Sequence, residues 1–244
     1  MPNKVLSVDE QKVLAARHAI DDLFEKGILH AGMRVGLGTG STAMPAVHRL
    51  AQLINEGKLA GIRAVPTSFQ TTIACEELGI PVFSLNAREI GGALDLSIDG
   101  ADEIDPDNCL IKGGGAALLL EKIVAYNSEQ FIVVADESKS VHSLGTVFPL
   151  PVEVIPEARL SVTAHLSRLG ATAAIRHAVR KAGPVITDNG NIILDCLWDA
   201  KSGCNAREME AAINSIAGVV ENGFFTGIRP TVYIAHADGS VEQR

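Results

Sequence analysis

The sequence predicts an α/β protein in which a mainly parallel sheet flanked by helices is joined to a second, smaller α+β domain. Two observations predict it. Up to about residue 148, short apolar runs alternate with helical segments, as strands do when crossover helices connect them. After PLPVEVIP the order becomes β-α-β-β-α-β, with an Asn-Gly pair between two apolar runs.

The elements follow in order. Ser7 with Glu10 three residues on is a capping box, and Val13, Leu14, Ala16, Ile20, Leu23 and Phe24 continue at helical spacing to Gly27. Apolar strand segments are expected at 33–37, 62–66, 82–85, 94–98 and 131–135, with helices at 42–55, 69–78 and 116–126. Next come a strand at 152–155, a helix at 158–169, a strand at 171–177 and a type I′ hairpin around DNGN with Asn189 and Gly190 at its tip. A helix at 206–216 and a strand near Val219 complete this part, and 231–235 forms a hairpin through Asp238 and Gly239 that returns to the first domain. The expected division is a Rossmann-like catalytic domain, 1–148 with 225–244, and a ferredoxin-like α+β domain, 149–224.

Composition narrows the function. With 244 residues, 47% of them hydrophobic and 20% charged, the chain builds a sizeable core and carries no low-complexity tract. A net charge of -8 argues against nucleic acid as a partner, because a phosphate-backbone binder needs a basic face. Cys75, Cys109, Cys196 and Cys204 contain no C-x-x-C pair, so neither a zinc knuckle nor a disulfide framework is suggested. The opening MPNKVLSVDEQK lacks an apolar signal region and no run approaches the ~18 apolar residues of a membrane span, so the expected location is the cytoplasm, without membrane association.

Several motifs carry chemistry. GLGTGSTA stands between a strand and a helix, and its 38–43 portion fits G-x-G-x-x-[G/A]. The acid that a dinucleotide site places ~20 residues on is missing, as is the Gly-Lys-Ser/Thr of a P-loop. Two readings stay open. Backbone N–H groups with the hydroxyls of Thr39, Ser41 and Thr42 bind one anion, such as a phosphate monoester, or the segment is a tight turn with Ser41 or Thr42 as helix cap. TSFQTT, after the next strand, invites the same pair of readings.

In IDGADEIDPDNCLIKGGGAALLLEK no starting aspartate satisfies the calcium-loop template. Asp105 and Asp107 read as turn chemistry. Asp99 and Asp102 end an apolar strand at the edge where open α/β sheets bind ligands, so they serve either catalysis or loop capping. Lys112 precedes Gly113, Gly114 and Gly115, which permit close backbone approach. Glu121 follows on the next helix, either as a carboxylate on an apolar stripe or as a surface residue beside Lys122. Lys139 stands after another strand's carboxyl end, as a ligand or as a surface lysine. No histidine pair at ligand spacing and no Gly-x-Ser-x-Gly elbow supports a metal or hydrolase reading.

Taken in order, GLGTGSTA, DGADEID, IKGGGAALLLEK, VVADESK, PLPVEVIP and TDNGNIILD closely resemble ribose-5-phosphate isomerase of the A type, over nearly the whole chain. The resemblance implies a two-domain α/β homo-oligomer, a homodimer or homotetramer, with no metal and no organic cofactor. Its substrate is a small sugar phosphate, D-ribose 5-phosphate, interconverted with D-ribulose 5-phosphate in the non-oxidative pentose phosphate pathway. By motif, Thr39, Gly40, Ser41 and Thr42 bind phosphate and substrate, with Lys139 as a second phosphate ligand and Lys12 as a weaker match for a helix lysine. Asp99, Gly100, Ala101 and Asp102 form the acidic substrate loop, in which Asp99 assists ring opening and Asp102 holds or relays hydroxyl protons. Lys112, Gly113, Gly114 and Gly115 stabilise the oxyanion, and Glu121 is the general base. Leu118, Leu119 and Leu120 depart from the polar residues relatives often carry there, which bears on local packing or a subunit contact. The alternatives are a sugar-phosphate-sensing regulatory domain and a coenzyme A transferase-like enzyme. The first expects a DNA-reading module ahead of the first helix, and the DGADEID block disfavours the second.

Overall fold

The structure, a computed structural model, describes residues 5–198 and 205–244, so Cys204 lies outside the described residues. In chain order the elements are α1 (Val8–Glu25), β1 (Arg34–Leu37), α2 (Met44–Asn55), β2 (Arg63–Pro66), α3 (Phe69–Glu77), β3 (Leu94–Asp99), β4 (Glu103–Ile104), β5 (Leu110–Ile111), α4 (Leu118–Tyr126) and β6 (Ser128–Asp136). They continue with β7 (Leu150–Val154), α5 (Arg159–Arg168), β8 (Ala171–Ile175), β9 (Ile192–Trp198), α6 (Ala206–Asn214), β10 (Val219–Asn222), β11 (Phe224–Phe225), β12 (Thr231–Ala235) and β13 (Val241–Gln243). They form two compact units. One holds the residues up to Gly100 with Leu120–Lys139 and Ile228–Arg244, and the other holds Ala101–Leu119 and Ser140–Gly227.

The first unit is built on a six-stranded sheet in the order β13-β12-β6-β3-β1-β2, parallel except for the β12–β13 hairpin. The α1 capping box forms as expected: the Ser7 N–H donates to Glu10 Oε2 at 2.9 Å and the Glu10 N–H to Ser7 Oγ at 3.3 Å. Its apolar stripe, Ala15, Ala16, Ala19, Ile20 and Leu23, is buried with Leu37, Val47, Leu50, Ile98, Val134 and Tyr233 in one core. The strand expected at 82–85 is reduced to a single bridge between Val82 and Ala64. Ser84 ends it, because its hydroxyl accepts the Asn86 N–H at 3.2 Å and its carbonyl the Ala87 N–H at 2.9 Å, which turns the chain off the edge of β2.

The amino ends of β1 and β3 are joined by charge. The Arg34 N–H and guanidinium donate to Asp95, at 2.7 Å from the backbone and 3.1 Å from Nε. These hydrogen bonds hold the Asp95 carboxyl below the ordinary value of 3.8, against the opposing effect of partial burial. A carboxylate lowered on folding stabilises the fold above its unfolded pKa and loses that effect as the pH falls through its folded value. Asp95→Asn is therefore expected to lower unfolding free energy at pH 7 by about 2 kcal/mol. Urea titrations in progressively more acid buffer should show the parent and the variant converging.

The second unit contains a four-stranded antiparallel sheet in the order β10-β7-β9-β8. Numbered within that unit this is 4-1-3-2, with α5 and α6 as the two crossover helices, the ferredoxin-like arrangement the element order implies. Leu150, Val152, Val154, Val162, Leu166, Leu194, Ile213 and Phe224 form its core. A small sheet, β11-β5-β4, belongs to the same unit.

The expected type I′ turn is corrected. The Gly190 N–H donates to Thr187 O and the Thr187 N–H to Asn191 O, both at 2.9 Å, so Asp188 and Asn189 are the central residues and Gly190 follows them at φ +82°. A type I′ turn needs positive φ at both central positions, and neither Asp188 nor Asn189 has it. Glu153 anchors this turn from β7, accepting from Thr187 Oγ1 and Asn191 Nδ2, both at 2.8 Å.

Candidate active site

In the first unit the chain runs from β1 to β2 on one side and returns through β3 on the other, so the sheet order reverses at β1. The crevice beyond the carboxyl ends of such neighbouring strands is where open α/β sheets bind ligands. The Gly38 N–H continues the pairing past β1 by donating to Ile98 O at 2.9 Å, which sets the 39–42 loop beside the end of β3. Asp99 is 3% exposed there, and its Oδ1 accepts the Thr39 N–H at 3.1 Å and the Gly100 N–H at 2.7 Å. A Cβ on Gly38 would fall 2.0 Å from that oxygen, so the carboxylate occupies the space a side chain would need.

Neither Ser41 nor Thr42 takes the capping position. It is Ala43 that precedes α2, with no side-chain cap hydrogen bond. The loop is instead gripped by the start of α3. Thr71 Oγ1 donates to Gly38 O at 2.7 Å, Thr39 Oγ1 lies 2.7 Å from both Thr67 Oγ1 and Ser68 Oγ, and Gln70 Oε1 accepts the Gly40 N–H at 3.1 Å. TSFQTT thus caps α3, through Ser68, and also braces the glycine loop.

Glu121 lies in the first turn of α4 and is 5% exposed, and Lys122 beside it is equally buried, its ammonium 5.9 Å from the Tyr126 ring centroid. The surface reading of Glu121 is thereby set aside. Lys139 is half-buried at the end of the short 3₁₀ helix Glu137–Lys139. Asp136, fully buried, accepts the Ser138 N–H at 3.1 Å, and Gln11 accepts the Glu137 N–H at 3.3 Å, so this turn is fixed at both sides. Lys12 pairs with Asp9 on its own helix at 3.2 Å.

In the second unit, Asp102 Oδ2 accepts the Gly114 N–H at 2.7 Å, which joins the acidic loop to the glycine loop. Lys112 is 3% exposed, its N–H donates to Gly223 O at 2.9 Å, and its ammonium lies 5.5 Å from the Phe225 centroid. Gly113 has φ +108°, and a Cβ there would meet Leu118 at 2.8 Å. Leu118 is fully buried against it, so the first residue of the leucine run closes the back of the loop, while Leu119 and Leu120 are half-buried. Ala101 is half-buried and Gly115 exposed.

Sequence reasoning missed three parts of this construction. One is the bracing of the 39–42 loop by Thr67, Gln70 and Thr71. A second is Glu103, 1% exposed, whose carboxylate accepts the N–H groups of Gly145, Val147 and Phe148 at 2.6, 2.7 and 2.6 Å. The third is Arg176, whose Nη1 donates to Gly113 O at 2.8 Å and Gly114 O at 3.1 Å. Asp105 does make the turn its spacing indicated, its Oδ1 accepting from Asp107 N–H at 3.0 Å and Cys109 N–H at 2.8 Å. Among the described residues there is no cluster of three or more metal-ligating side chains and no helix long and apolar enough to cross a membrane.

A doubly wound sheet whose switch point carries a hydroxyl-rich glycine loop and a buried carboxylate defines an α/β protein suited to a small phosphorylated ligand. The comparisons specify it. The family model described as ribose 5-phosphate isomerase A (phosphoriboisomerase A) matches residues 63–239. The chain is 59% identical over 237 residues to ribose-5-phosphate isomerase A of Treponema denticola, covering 97% of this chain and 99% of the relative. It is 55% identical to the Treponema pallidum protein of the same name, covering 99% and 95%. Among solved structures, a D-ribose-5-phosphate isomerase in complex with phospho-erythronic acid superimposes with a TM-score of 0.90 at 39% identity, covering 98% of this chain and 99% of that one. The Methanocaldococcus jannaschii enzyme follows at 0.87 and 40%, covering 98% and 100%. The chain belongs to the ribose 5-phosphate isomerase A family.

Proposed function

We propose that this protein interconverts D-ribose 5-phosphate and D-ribulose 5-phosphate, as a cytoplasmic enzyme of the non-oxidative pentose phosphate pathway. The observation that carries the reading is the switch point itself, where the braced 39–42 loop and buried Asp99 meet in a chain of this family.

The reaction opens the sugar ring, moves a proton between C2 and C1, and stabilises an enediolate in between. One carboxylate can carry that proton, and Glu121 is assigned to it. Positioned proton transfer of this kind contributes roughly 10²- to 10⁴-fold. Lys112 and the backbone N–H groups of Gly113 and Gly115 stabilise the developing oxyanion, at about 3 kcal/mol per donor, while the Gly114 N–H holds Asp102. Asp99 assists ring opening, and Asp102, set by its bond to Gly114, holds or relays hydroxyl protons. Gly100 and Ala101 line the sugar between the two acids.

Thr39, Gly40, Ser41 and Thr42 bind the phosphate at the amino end of α2, with Lys139 as a second ligand and Lys12 as a third that must leave Asp9 to reach it. Phosphate binding at a distance from the reacting carbons orients them. The enzyme acts as a homodimer or homotetramer without metal or organic cofactor. A coupled assay of ribulose 5-phosphate formation, run with and without chelator, tests the reading. Equal activity in both supports it, and no product in either refutes it. Lys139→Ala is expected to raise KM for ribose 5-phosphate about tenfold with kcat little changed, since a lost charge-assisted contact is worth ~1.5 kcal/mol. An unchanged KM removes Lys139 from the phosphate site.

A further inference from the structure

Arg176 follows β8, and its side chain is 14% exposed. Its backbone is fixed on β9, where its N–H donates to Ile193 O at 2.9 Å. Nε and Nη2 form a two-pronged pair with Asp195, at 2.9 and 2.5 Å. The remaining prong, Nη1, reaches two consecutive carbonyls of the glycine loop, Gly113 O at 2.8 Å and Gly114 O at 3.1 Å.

In a trans peptide the C=O of one residue and the N–H of the next point in opposite directions. A cation holding Gly113 O and Gly114 O on one side therefore turns the Gly114 and Gly115 N–H groups to the other. The first half of this is visible, because the Gly114 N–H meets Asp102 Oδ2 at 2.7 Å. Successive N–H groups aimed the same way form an anion-binding concavity. The Ala116 N–H also holds Gly113 O, at 3.0 Å, but Gly114 without Arg176 has many backbone states, including states that present its carbonyl, which would repel an oxyanion. Asp195 neutralises the guanidinium, so Arg176 acts on the loop without competing for the substrate's phosphate.

We propose that Arg176 is a positioning residue for isomerisation, which sets the Gly114 N–H onto Asp102 and the Gly115 N–H toward the enediolate and keeps the Gly113 and Gly114 carbonyls turned away. This rests on the reading of the 112–115 loop as the oxyanion site. The prediction is a loss confined to the transition state. Lysine cannot span Asp195 and two carbonyls at once, because it lacks the planar fork.

The test compares R176K, D195N and K112M in the full-length enzyme by kcat, KM for ribose 5-phosphate, melting temperature, and Kd for 4-phosphoerythronate, whose carboxylate stands in for the enediolate oxygens. R176K is expected to lower kcat at least thirtyfold, to weaken phosphoerythronate at least tenfold and to leave KM within threefold. D195N retains the carbonyl contacts and is expected to lose less than fivefold in kcat. R176K with parental kcat and phosphoerythronate affinity, whatever its melting temperature, overturns the assignment and leaves Arg176 a structural residue. K112M separates the two levels. If it also binds phosphoerythronate as the parent does, the oxyanion reading of the loop fails. If it weakens binding while R176K does not, only the role of Arg176 fails.

Discussion

Glu121→Gln is expected to fold, to bind ribose 5-phosphate with near-parental affinity, and to lose about 10²- to 10⁴-fold in turnover. The amide has almost the same shape as the carboxyl, so the first turn of α4 keeps its packing, but it cannot take up the C2 proton. The position sharpens the expectation, because Glu121 is 5% exposed and a buried carboxylate is costly to maintain. The isosteric amide should leave the enzyme folded, so that the loss is read on native protein. A fall in kcat with no fall in stability separates chemistry from packing, and steady-state kinetics beside a thermal melt reads both. Near-parental turnover would remove Glu121 from the role of base.

Gly38→Ala is expected to be nearly as damaging through a different link of the chain, the geometry of the loop. The added methyl would fall 2.0 Å from Asp99 Oδ1 and 2.1 Å from its Cγ. Neither partner can withdraw at low cost. Asp99 is held by the N–H groups of Thr39 and Gly100, and Gly38 by Ile98 O through its N–H and by Thr71 Oγ1 through its carbonyl. Overpacking against a buried, hydrogen-bonded carboxylate costs about 3 kcal/mol. Because the same atoms position Asp99 and the 39–42 loop, kcat/KM should fall at least a hundredfold in whatever fraction folds. Urea unfolding and kinetics on the purified variant check both. Parental values in both would mean that the loop tolerates a side chain and that the close approach of Gly38 to Asp99 is not needed.

Much of this was legible in the residues because the signals are local. The capping box of Ser7 and Glu10, the alternation of apolar strands with helices, and the β-α-β-β-α-β order each follow from spacing alone, and the structure contains all three. The short bridge at Val82 shows the limit of that reasoning: an apolar run does not remain a strand when the next hydroxyl, on Ser84, captures the backbone. The turn at Asp188 and Asn189 teaches the same lesson at finer scale, since a single residue's shift in pairing moved Gly190 out of the two-residue loop.

What was not legible is the set of contacts between residues distant in sequence. Glu103 lies within the most conspicuous acidic motif, yet its three N–H partners are more than 40 residues away. Arg176 stands in a basic stretch, IRHAVRKAG, whose composition suggests only solvent exposure. Its carbonyl partners lie more than 60 residues earlier. A motif can mark a glycine loop as important, but the side chain that fixes the loop's direction has no spacing signature of its own.

The central claim is that isomerisation proceeds by proton transfer through Glu121. It is tested most directly by incubating ribose 5-phosphate in deuterated water with the parent and with Glu121→Gln, and following deuterium uptake at C2 of the aldose and C1 of the ketose. The parent should exchange these positions as it interconverts the sugars, and the variant should lose exchange and turnover together, each by at least a hundredfold. Exchange by the variant at the parental rate would contradict the claim.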